Sequence, residues 1–539
     1  MRGLMMDFPL TVPALLQRAG GIFGTVEIVT RAPDRRLARC TWGDIYRRSR
    51  KLANALTGLG LRRGDRVATL LWNQSEHLEA YFGVPIAGGV LHTLNLRLHP
   101  DEISFIANHA EDRFLIVDDV LLPVYETFRN RVKFERVIVV PFGGGETPPG
   151  CDGYEELLAA ASDEFTYPQI DENEAAAMCY TSGTTGRSKG VVYSHRALVL
   201  HSLDCCGANS FAISARDSVL QIASLFHANG WGIPFTAALA GAKLVLPGPF
   251  ADAEGILDLM ERERVTAALG VPTIFFGVLD ALDKFPGRWK FSWPVRLLVG
   301  GGASSDAMIR GFDRHGITLV SLFGMTEATP HASCSYLRPE MDSWSDDKKY
   351  AQRLMQGVPA SIVEARIVRP DGSLAPHDGA TIGEIELRGP WIAASYYNLP
   401  EENWKWTRDG WLRTGDVGYI DEYGYLKLVD RSKDLIKSGG EWISSLDLEN
   451  ALMGHPAVKE AAVIGMPHPK WQERPLAVVV LHEGANAHPA ELRDFLGAKF
   501  AKWQLPDAFV FAKEIPRTSV GKFRKTALRE QFVGWKWES

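Results

Sequence analysis

A segment rich in glycine and hydroxyl side chains lies a third of the way along the chain and ends in a lysine. Residues 180–190 read Tyr-Thr-Ser-Gly-Thr-Thr-Gly-Arg-Ser-Lys-Gly, with Thr181 near the start and Lys189 near the end. Glycines let the backbone approach an anion closely, and hydroxyls and a lysine can bind its oxygens. The spacing does not match the Walker A pattern, and apolar runs on both sides predict a loop between two strands. The segment is therefore predicted to bind phosphate.

Two further segments combine aromatic and polar residues. In Phe323-Gly324-Met325-Thr326-Glu327, the Glu327 carboxylate suits a hard cation such as Mg²⁺, although a strand ending in a turn is the alternative. In Phe226-His227-Ala228-Asn229-Gly230-Trp231, a histidine beside aromatic residues is more often part of a core than of a site. The glycines at 300–302 are a weak dinucleotide fingerprint, because the third glycine and the partner acid are missing.

Charged residues near the C-terminus form the remaining candidates. Asp416 follows a glycine, which is typical of a turn, and residues 430–434 read Asp-Arg-Ser-Lys-Asp, which a solvated linker would also explain. Lys522 follows Gly521, and taken alone it is predicted to be an ordinary surface lysine.

Alternating apolar runs and helical patterns indicate how these segments are held. Strands are predicted at 66–72, 114–118 and 137–140, with a helix at 76–82, which favours parallel sheets covered by helices. From about residue 358, short β-rich runs between turn signals predict a small antiparallel unit. A helix over 445–453 and apolar runs at 461–464 and 476–481 then predict a separate α+β domain.

The composition limits the class of protein. The chain has 539 residues, a net charge of −6, 46% hydrophobic and 23% charged residues, which excludes a disordered chain and disfavours nucleic acid as a partner. At about 150 residues per domain, three or four folding units are expected. The six cysteines have no CxxC spacing, which favours a reducing, cytoplasmic setting. The sequence has no apolar run of about 18 residues, so no membrane span is predicted.

In their order and separations, these motifs resemble those of the adenylate-forming (ANL) superfamily over essentially the whole chain. This superfamily contains acyl-CoA synthetases, peptide-synthetase adenylation domains and luciferases. Residues 193–198 and 437–444 resemble bacterial medium- and long-chain fatty-acyl-CoA synthetases and the related methylmercaptopropionate–CoA ligases. The resemblance implies an α/β fold with an N-terminal adenylation domain over 1–430, which has two parallel-type sheets and a small β-barrel-like unit. A small mobile α+β lid domain over 431–539 would follow.

The resemblance also implies a role for each matching residue. Catalytic roles fall on Lys522, Glu327, His227 and Thr181, with Mg²⁺ held by Thr181 and Glu327. The implied nucleotide-binding residues are Thr181, Ser182, Gly183, Thr184, Thr185, Gly186, Lys189, Gly301, Gly302, Ala303, Ser321, Leu322, Phe323, Gly324, Thr326, Asp416, Arg431, Lys433, Lys437 and Trp442. The acyl tunnel is expected at Phe226, Trp231, Ile233 and Gly302, and the hinge and CoA contacts at Asp430, Lys433, Gly439 and Gly440.

Three positions depart from the family pattern. Ser188 stands where the family usually has proline before the loop lysine, Ser224 stands where relatives often have proline, and Phe323 replaces the commoner tyrosine or tryptophan. None of these changes removes a charged or chelating group, so the departures concern loop stiffness and pocket shape rather than the chemistry.

The reaction implied is the ATP-dependent activation of a carboxylic acid to acyl-AMP, followed by transfer to CoA. His227 stands where amino-acid-activating relatives carry aspartate, and the aromatic residues around it favour a medium- to long-chain fatty acid. Short, methylthio-substituted and aryl acids stay open, as do a luciferase-type oxygenase and a non-catalytic nucleotide-binding module. The expected partners are small molecules and a second copy of the chain in a homodimer, and peripheral membrane contact stays open.

Overall fold

The architecture is taken from a computed structural model that describes residues 1, 3–181, 187–438, 441–518 and 522–537, apart from the Glu441 side chain. Strands and helices alternate through the N-terminal body, and a smaller mixed unit follows.

The strands of the described residues are numbered in chain order. They are β1 (Glu27–Arg31), β2 (Leu37–Thr41), β3 (Arg66–Leu70), β4 (Val90–Thr93), β5 (Asp112–Asp118), β6 (Arg136–Val140), β7 (Asp152–Gly153), β8 (Ala175–Tyr180), β9 (Gly190–Ser194), β10 (Ser218–Gln221), β11 (Lys243–Leu246), β12 (Ala267–Gly270), β13 (Val295–Val299), β14 (Ile317–Gly324), β15 (His331–Cys334), β16 (Val358–Pro359), β17 (Glu364–Val368), β18 (Gly383–Arg388), β19 (Leu412–Ile420), β20 (Leu426–Arg431), β21 (Ile436–Ser438), β22 (Glu441–Ile443), β23 (Val458–His468), β24 (Gln472–Leu481) and β25 (Ala508–Phe511).

The α-helices are numbered in the same way. They are α1 (Val12–Ile22), α2 (Trp42–Gly58), α3 (Ser75–Ile86), α4 (Pro100–His109), α5 (Leu122–Glu126), α6 (Tyr154–Ala160), α7 (His195–Cys206), α8 (Ile233–Ala240), α9 (Ala253–Arg262), α10 (Pro272–Lys284), α11 (Asp306–Arg314), α12 (Asp346–Arg353), α13 (Ser445–Leu452), α14 (Pro489–Gly497) and α15 (Lys525–Gln531). Short 3-10 turns include Ala228–Gly232, Thr326–Ala328 and Pro400–Lys405.

Two large sheets build the N-terminal body. The nine-stranded sheet has the order β16-β15-β14-β13-β12-β10-β11-β1-β2, and its six strands from β14 to β1 pair in parallel. The seven-stranded sheet has the order β7-β6-β5-β3-β4-β8-β9, in which only the β8–β9 pair is antiparallel. Because ligands of such sheets bind at the carboxyl ends of the strands, the loops after β10, β13 and β14 share one edge.

Apolar side chains on both faces of these strands explain the sheet arrangement. The largest core contains Val67 and Leu91 of the seven-stranded sheet and Leu244 and Leu269 of the nine-stranded sheet, together with residues of α1, α2, α3 and α8. Strands buried on both faces are typical of parallel sheets with helices packed against them. The two sheets therefore share one core and hold their strand ends in fixed relative positions.

Two smaller sheets follow along the chain. Strands β17, β18, β19 and β20 form a four-stranded antiparallel sheet in sequence order. Strands β21 to β25 form the C-terminal sheet, with an apolar core that includes Ile436, Leu448, Val463 and Leu492. The predicted fold class is confirmed, and the small unit predicted to resemble a barrel is an antiparallel meander. Among the described residues, no helix has the length and apolar character needed to cross a membrane.

Candidate active site

A cavity of about 410 Å³ brings together most of those predicted site residues that the structure describes. Its wall includes Thr181, Lys189, His227, Trp231, Gly301, Leu322, Phe323, Gly324, Thr326, Glu327, Asp416, Arg431, Lys433 and Lys522. These residues come from both large sheets, the four-stranded sheet and the C-terminal domain. The predicted convergence of distant motifs on one site is therefore present in the tertiary structure.

Hydrogen bonds between Thr181 and Lys189 join the two ends of the phosphate loop. The Thr181 backbone N–H donates to the Lys189 carbonyl at 2.9 Å, and the Lys189 backbone N–H donates to Thr181 Oγ1 at 3.1 Å. These bonds extend the β8–β9 ladder, as the predicted strand–loop–strand arrangement requires. Ser182, Gly183, Thr184, Thr185 and Gly186 lie outside the described residues.

The Lys189 side chain lies on the cavity wall and has a counter-ion. Its Nζ atom is 2.7 Å from Glu402 Oε1 and lies over the ring of Tyr396, 5.2 Å from the centroid. Both partners come from the segment around the Pro400–Lys405 turn, which also contributes Trp404 and Lys405 to the cavity wall. The positive charge of the phosphate loop is thus balanced locally in this structure.

Glu327 is buried near Lys189, and hydrogen bonds hold both its side chain and its backbone. The Tyr396 hydroxyl donates to Glu327 Oε1, and the Ala393 backbone N–H donates to the Glu327 carbonyl at 2.7 Å. The Tyr193 hydroxyl donates to the carbonyl of the neighbouring Thr326 at 2.7 Å. These bonds fix the turn after β14 so that the carboxylate lies on the cavity wall.

The residues present fit a magnesium ion that also binds the nucleotide. The Glu327 carboxylate and the Thr181 hydroxyl both lie on the cavity wall and offer the oxygen ligands that Mg²⁺ takes. The described residues contain no group of three or more His, Cys, Asp or Glu side chains that could hold a metal by themselves. One carboxylate combined with phosphate oxygens and water is the usual magnesium arrangement, since this ion retains much of its hydration.

Asp416 and Arg431 face each other across two strands. They are paired residues of β19 and β20, and Arg431 Nε lies 3.3 Å from Asp416 Oδ1. Burial raises the pKa of the Asp416 carboxyl, while the charges of Arg431 and Lys522 act in the opposite direction. A buried carboxylate with a spare acceptor oxygen is suited to binding hydroxyl groups, as the predicted ribose contact requires.

Lys522 reaches the cavity from the C-terminal domain. Its aliphatic Cε lies 3.4 Å from the place where a Cβ on Gly301 would stand, and Gly301 has a positive φ of 78°. The Lys522 backbone N–H donates to Thr518 Oγ1 at 3.2 Å, and Thr518 N–H donates to the Lys522 carbonyl at 2.7 Å. A side chain at residue 301 would be strained by this positive φ, which explains the glycine there, whereas its contact with the lysine would be an ordinary one.

The ionisation of Lys522 and His227 follows from their shared surroundings. Burial, together with the charge of Arg431, lowers the pKa of Lys522 to about 8, although the charges of Asp416 and Glu327 oppose this decrease. Burial also lowers the pKa of His227 to about 3, with a further contribution from the charge of Lys522. His227 is therefore neutral near pH 7, while Lys522 remains mostly protonated and can lose its proton in mildly basic solution.

Trp231 closes one side of the cavity. Each residue from Ala228 to Trp231 has a positive φ angle, which is uncommon for residues other than glycine. The Trp231 ring packs on Gly300, with Cη2 3.1 Å from the place a Cβ would take there. Trp231, which is one of the residues predicted for the acyl tunnel, therefore lies on the cavity wall.

Several predicted residues do not lie on this wall. Phe226 and Ile233 are buried in apolar cores and do not line the cavity, because the turn between them directs His227, Ala228 and Trp231 to its wall. The Ser321 hydroxyl donates to the Arg353 carbonyl at 3.3 Å, which turns it away. Lys437 and Trp442 pair across β21 and β22, where both are exposed and line neither cavity. Gly439 and Gly440 lie outside the described residues.

A second cavity of about 830 Å³ separates α10 and α11 from the C-terminal domain. Gly302, Ala303, Asp430 and Lys433 are on its wall, and Lys522 borders both cavities. The predicted hinge and CoA residues that the structure describes therefore lie where the two domains meet.

Asp430 links the last strand of the four-stranded sheet to the first helix of the C-terminal domain. Its Oδ1 atom accepts from the Arg431 N–H at 2.7 Å, and its Oδ2 atom accepts from the Ser445 N–H at 2.8 Å. Lys525 donates to the Ser445 hydroxyl and forms an ion pair with Glu449 at 2.7 Å. Burial opposes the charge on Lys525, but Glu449, Asp430 and Asp434 together raise its pKa.

Sequence reasoning missed the turn that contacts Lys189 at the end of the phosphate loop. Tyr396, Glu402, Trp404 and Lys405 line the cavity, and Arg187 does so from the end of the loop itself. The dense mixture of aromatic and charged residues from 396 to 406 was an available signal. It carries no periodicity or motif, so only its contacts with Lys189 and Glu327 reveal its place in the site.

Comparison with known proteins identifies the family. The model described as "AMP-binding enzyme" matches residues 26–397, and the model of its C-terminal domain matches residues 447–522. The long-chain-fatty-acid–CoA ligase of Thermus thermophilus is 48% identical over 533 residues, 98% of this chain and 97% of that protein. The 3-methylmercaptopropionyl-CoA ligase of Ruegeria pomeroyi is 42% identical and covers 99% of each chain.

Solved structures agree with this assignment. An anthranilate CoA ligase in complex with anthranoyl-AMP has a TM-score of 0.86 at 26% identity, covering 97% of this chain and 98% of its own. The chain therefore belongs to the AMP-binding enzyme family, and the resemblance stated from its motifs is confirmed. The predicted class of activity, an AMP-forming acid–CoA ligase, is confirmed by the same relatives.

Proposed function

We propose that this enzyme activates a fatty acid with ATP and transfers the acyl group to CoA. The observation that carries the proposal is the position of Lys522, which meets Asp416 and Glu327 of the N-terminal body, and Arg431 next to the domain boundary, at one cavity. A carboxylate oxygen of the acid attacks the α-phosphorus of ATP, and the bond to the leaving pyrophosphate breaks. The acyl carbon of acyl-AMP is then attacked by the CoA sulfur, AMP leaves, and the thiol proton passes to solvent.

The first step needs positioning and charge neutralisation, and no nucleophile from the protein. The carboxylate and the triphosphate repel each other, and negative charge shifts onto the pyrophosphate as it leaves. Lys522 lies on the side of Asp416 and Arg431, which supports a role for its charge at the α-phosphate, and Lys189 lies at the end of the loop predicted to bind phosphate. Neutral His227 can donate a hydrogen bond to the substrate carboxylate.

Magnesium is proposed at Thr181 and Glu327. When bound, the ion would neutralise phosphate charge. The Tyr396 hydroxyl that now donates to Glu327 keeps the carboxylate turned to the cavity. ATP and CoA are substrates that the family uses.

The second step requires a different arrangement of the C-terminal domain, because Lys522 fills the side from which a thiol would approach. We place the domain boundary and the hinge at Asp430, within the last residues of β20. A rotation there would withdraw Lys522 and bring the face with Lys437 and Trp442 towards CoA. The exposure of Lys437 and Trp442 in the present arrangement supports a role in the other one.

A fatty acid is favoured by apolar groups on the cavity wall and by the relatives. Trp231, Phe211 and Leu322 form the apolar part of the wall, together with the glycines at 300 and 301. The relatives named as long-chain and 3-methylmercaptopropionyl ligases span almost the whole chain. Short, methylthio-substituted and aryl acids are the alternatives, since they need the same chemistry and only a different tunnel.

The test is a pyrophosphate-release assay with purified enzyme, ATP, Mg²⁺ and CoA. The panel contains unbranched acids from about four to about eighteen carbons, 3-methylthiopropionate and benzoate. We expect the largest kcat/KM for medium or long chains, and AMP and acyl-CoA as products. Pyrophosphate release with none of the acids would overturn the ligase proposal, and a maximum at benzoate or 3-methylthiopropionate would replace the fatty acid as substrate.

We further propose a homodimer in the cytoplasm. The six free thiols of Cys40, Cys151, Cys179, Cys205, Cys206 and Cys334 support a reducing compartment. Light scattering coupled to size-exclusion chromatography tests the dimer against the monomer mass of 59.6 kDa, and fractionation of cells that express the chain tests the compartment.

A further inference from the structure

One face of α4 lies beside both ends of the phosphate loop. It carries Glu102, Phe105 and His109, and this spacing of three and then four positions places side chains next to each other on a helix. His109 Nδ1 lies 2.6 Å from the hydroxyl of Tyr180, the last residue of β8 before the loop. Ile103 belongs to the apolar core of the seven-stranded sheet, so α4 is anchored to that sheet.

The other two residues of this face contact the end of the loop. The Ser188 backbone N–H donates to Glu102 Oε1 at 3.0 Å. The Arg187 guanidinium lies over the Phe105 ring, 4.7 Å from its centroid. Arg187 and Lys189 are among the residues of the active-site wall, whereas Glu102 is not. The carboxylate therefore contacts the backbone between two cations of the wall from outside the cavity.

The bond to Glu102 depends on the type of residue at position 188. Proline, the usual residue of the family pattern at this position, has no backbone N–H and could not donate to Glu102. Ser188 is only 4% exposed, and its buried hydroxyl has no hydrogen-bond partner among the residues that the structure describes. What serine contributes here is therefore its backbone N–H, and Glu102 accepts from it.

We propose that Glu102 is a positioning residue that holds the end of the phosphate loop so that Arg187 and Lys189 face the β- and γ-phosphates of ATP. This inference rests on the proposed ligase activity and adds a residue outside the cavity wall. Ser188 lies between the two cations, so a bond to its N–H restricts the peptide that joins it to Arg187. The next N–H, that of Lys189, is held by Thr181 Oγ1 at 3.1 Å, so two consecutive amides are fixed.

A carboxylate on this helix is well suited to the role. A hydrogen bond from an N–H group to an ionised acceptor is stronger than one to a neutral acceptor. Glu102 also lies in the first turn of α4, where the helix dipole interacts favourably with a negative charge. Because the loop end is already held before the substrate arrives, less conformational entropy is lost when ATP binds.

The test measures the dissociation constant of ATP with Mg²⁺ by calorimetry in the absence of acid, together with the rates of the two half-reactions. Glu102→Ala should weaken ATP binding by about tenfold, as expected for one hydrogen bond to a charged group. Thioester formation from prepared acyl-AMP should change by less than about twofold, because acyl-AMP has no β- or γ-phosphate. Glu102→Gln, whose amide oxygen can still accept the bond, should retain most of the affinity for ATP.

A second set of variants tests whether Glu102 acts through the N–H of Ser188. Ser188→Pro removes this donor, and Glu102→Ala should then weaken ATP binding by no more than about a further twofold, since both changes remove the same bond. Ser188→Ala keeps the N–H, so the tenfold effect of Glu102→Ala should persist in that background. Asp101→Ala removes the other acidic residue from the first turn of α4 and is the matched control for the helix dipole. Each variant should show cooperative thermal unfolding.

The outcomes distinguish this inference from the function on which it rests. If no acid releases pyrophosphate with the wild-type enzyme, the ligase proposal fails, and the role of Glu102 is decided by the ATP dissociation constants alone. If Glu102→Ala binds ATP as tightly as the wild type, or loses thioester formation to the same extent as ATP binding, this role is refuted while the ligase activity stands. An undiminished effect of Glu102→Ala in the Ser188→Pro background would refute it equally.

Discussion

Two of the lysines on the cavity wall, Lys189 and Lys522, are held in opposite ways. Lys189, at the phosphate loop, has a counter-ion in Glu402 at 2.7 Å and the ring of Tyr396 beneath it. Lys522, from the C-terminal domain, borders both cavities, and burial lowers its pKa to about 8. Lys189 thus has its charge balanced within the N-terminal body, whereas Asp416 and Glu327 compensate the charge of Lys522 only in part.

This difference indicates a division of labour. A lysine already paired within one domain can hold a phosphate group throughout the reaction cycle. A lysine on a separate domain, with its charge only partly compensated, can be withdrawn at low cost when the substrate charge has left. We therefore expect the two lysines to differ in which half-reaction they affect and in their response to pH.

The largest expected effect is the loss of Lys522. Lys522→Ala should lower the rate of acyl-AMP formation by at least about a hundredfold, because one charge at the reacting phosphate is missing. Thioester formation from chemically prepared acyl-AMP should change only a few-fold, since Lys522 would be away from the site in that step. Separate assays of each half-reaction measure this. Lys513→Ala, which removes an exposed lysine of the same domain, is the matched control, and equal losses in both steps would contradict the assignment.

The second prediction concerns pH. Lys522 is protonated below its pKa of about 8 and loses its charge as the pH rises through that value. The kcat/KM of acyl-AMP formation should therefore fall above about pH 8, by up to about tenfold per pH unit. Lys522→Arg, which stays charged, should lack this decrease whatever its absolute rate. A wild-type profile that is flat to pH 10 would show that the lysine charge is not needed.

A smaller effect is expected where Lys189 meets its counter-ion. Glu402→Gln should lower the KM for ATP by about threefold, because the pair is only partly exposed and such ion pairs contribute about 1 kcal/mol or less. Glu401→Gln, at the exposed neighbouring position, should leave the KM unchanged. A KM that rises in Glu402→Gln would mean that Glu402 assists nucleotide binding instead of competing with it.

The smallest effect on acyl-AMP formation is expected at the exposed hairpin. Lys437→Ala and Trp442→Ala should change that rate by no more than about twofold, within the range of surface substitutions. The thioester step should be more sensitive if the hairpin turns towards CoA. A tenfold loss in acyl-AMP formation would instead support the sequence prediction that both residues close over the nucleotide.

Much of the fold followed from local patterns. The β8–β9 pair around the phosphate loop, the parallel strands β3, β5 and β6, and the small antiparallel sheet after residue 358 were all predicted from apolar runs and turn residues. Such patterns reflect the burial of each strand face, which is a property of neighbouring residues. The residues of the main site could also be predicted from local sequence, because glycines, hydroxyls and single charges at fixed spacing identified their loops.

The inward or outward direction of side chains was less predictable. Phe226 and Trp231 lie in the same motif, yet only Trp231 faces the cavity, because positive φ angles from Ala228 to Trp231 redirect the chain. No periodicity in the sequence predicts such a turn.

By itself, the sequence determined the chemistry that this protein can hold: a phosphate loop ending in Lys189, the carboxylates Glu327 and Asp416, and a lysine at 522. Only the tertiary structure decided how these groups are balanced. Tyr396 forms a hydrogen bond with Glu327, which is 69 residues away in the chain, and Ser210 contacts His331, which is 121 residues away. These contacts depend on the packing of separate elements, and packing is set by the shape of the whole core rather than by the identity of nearby residues.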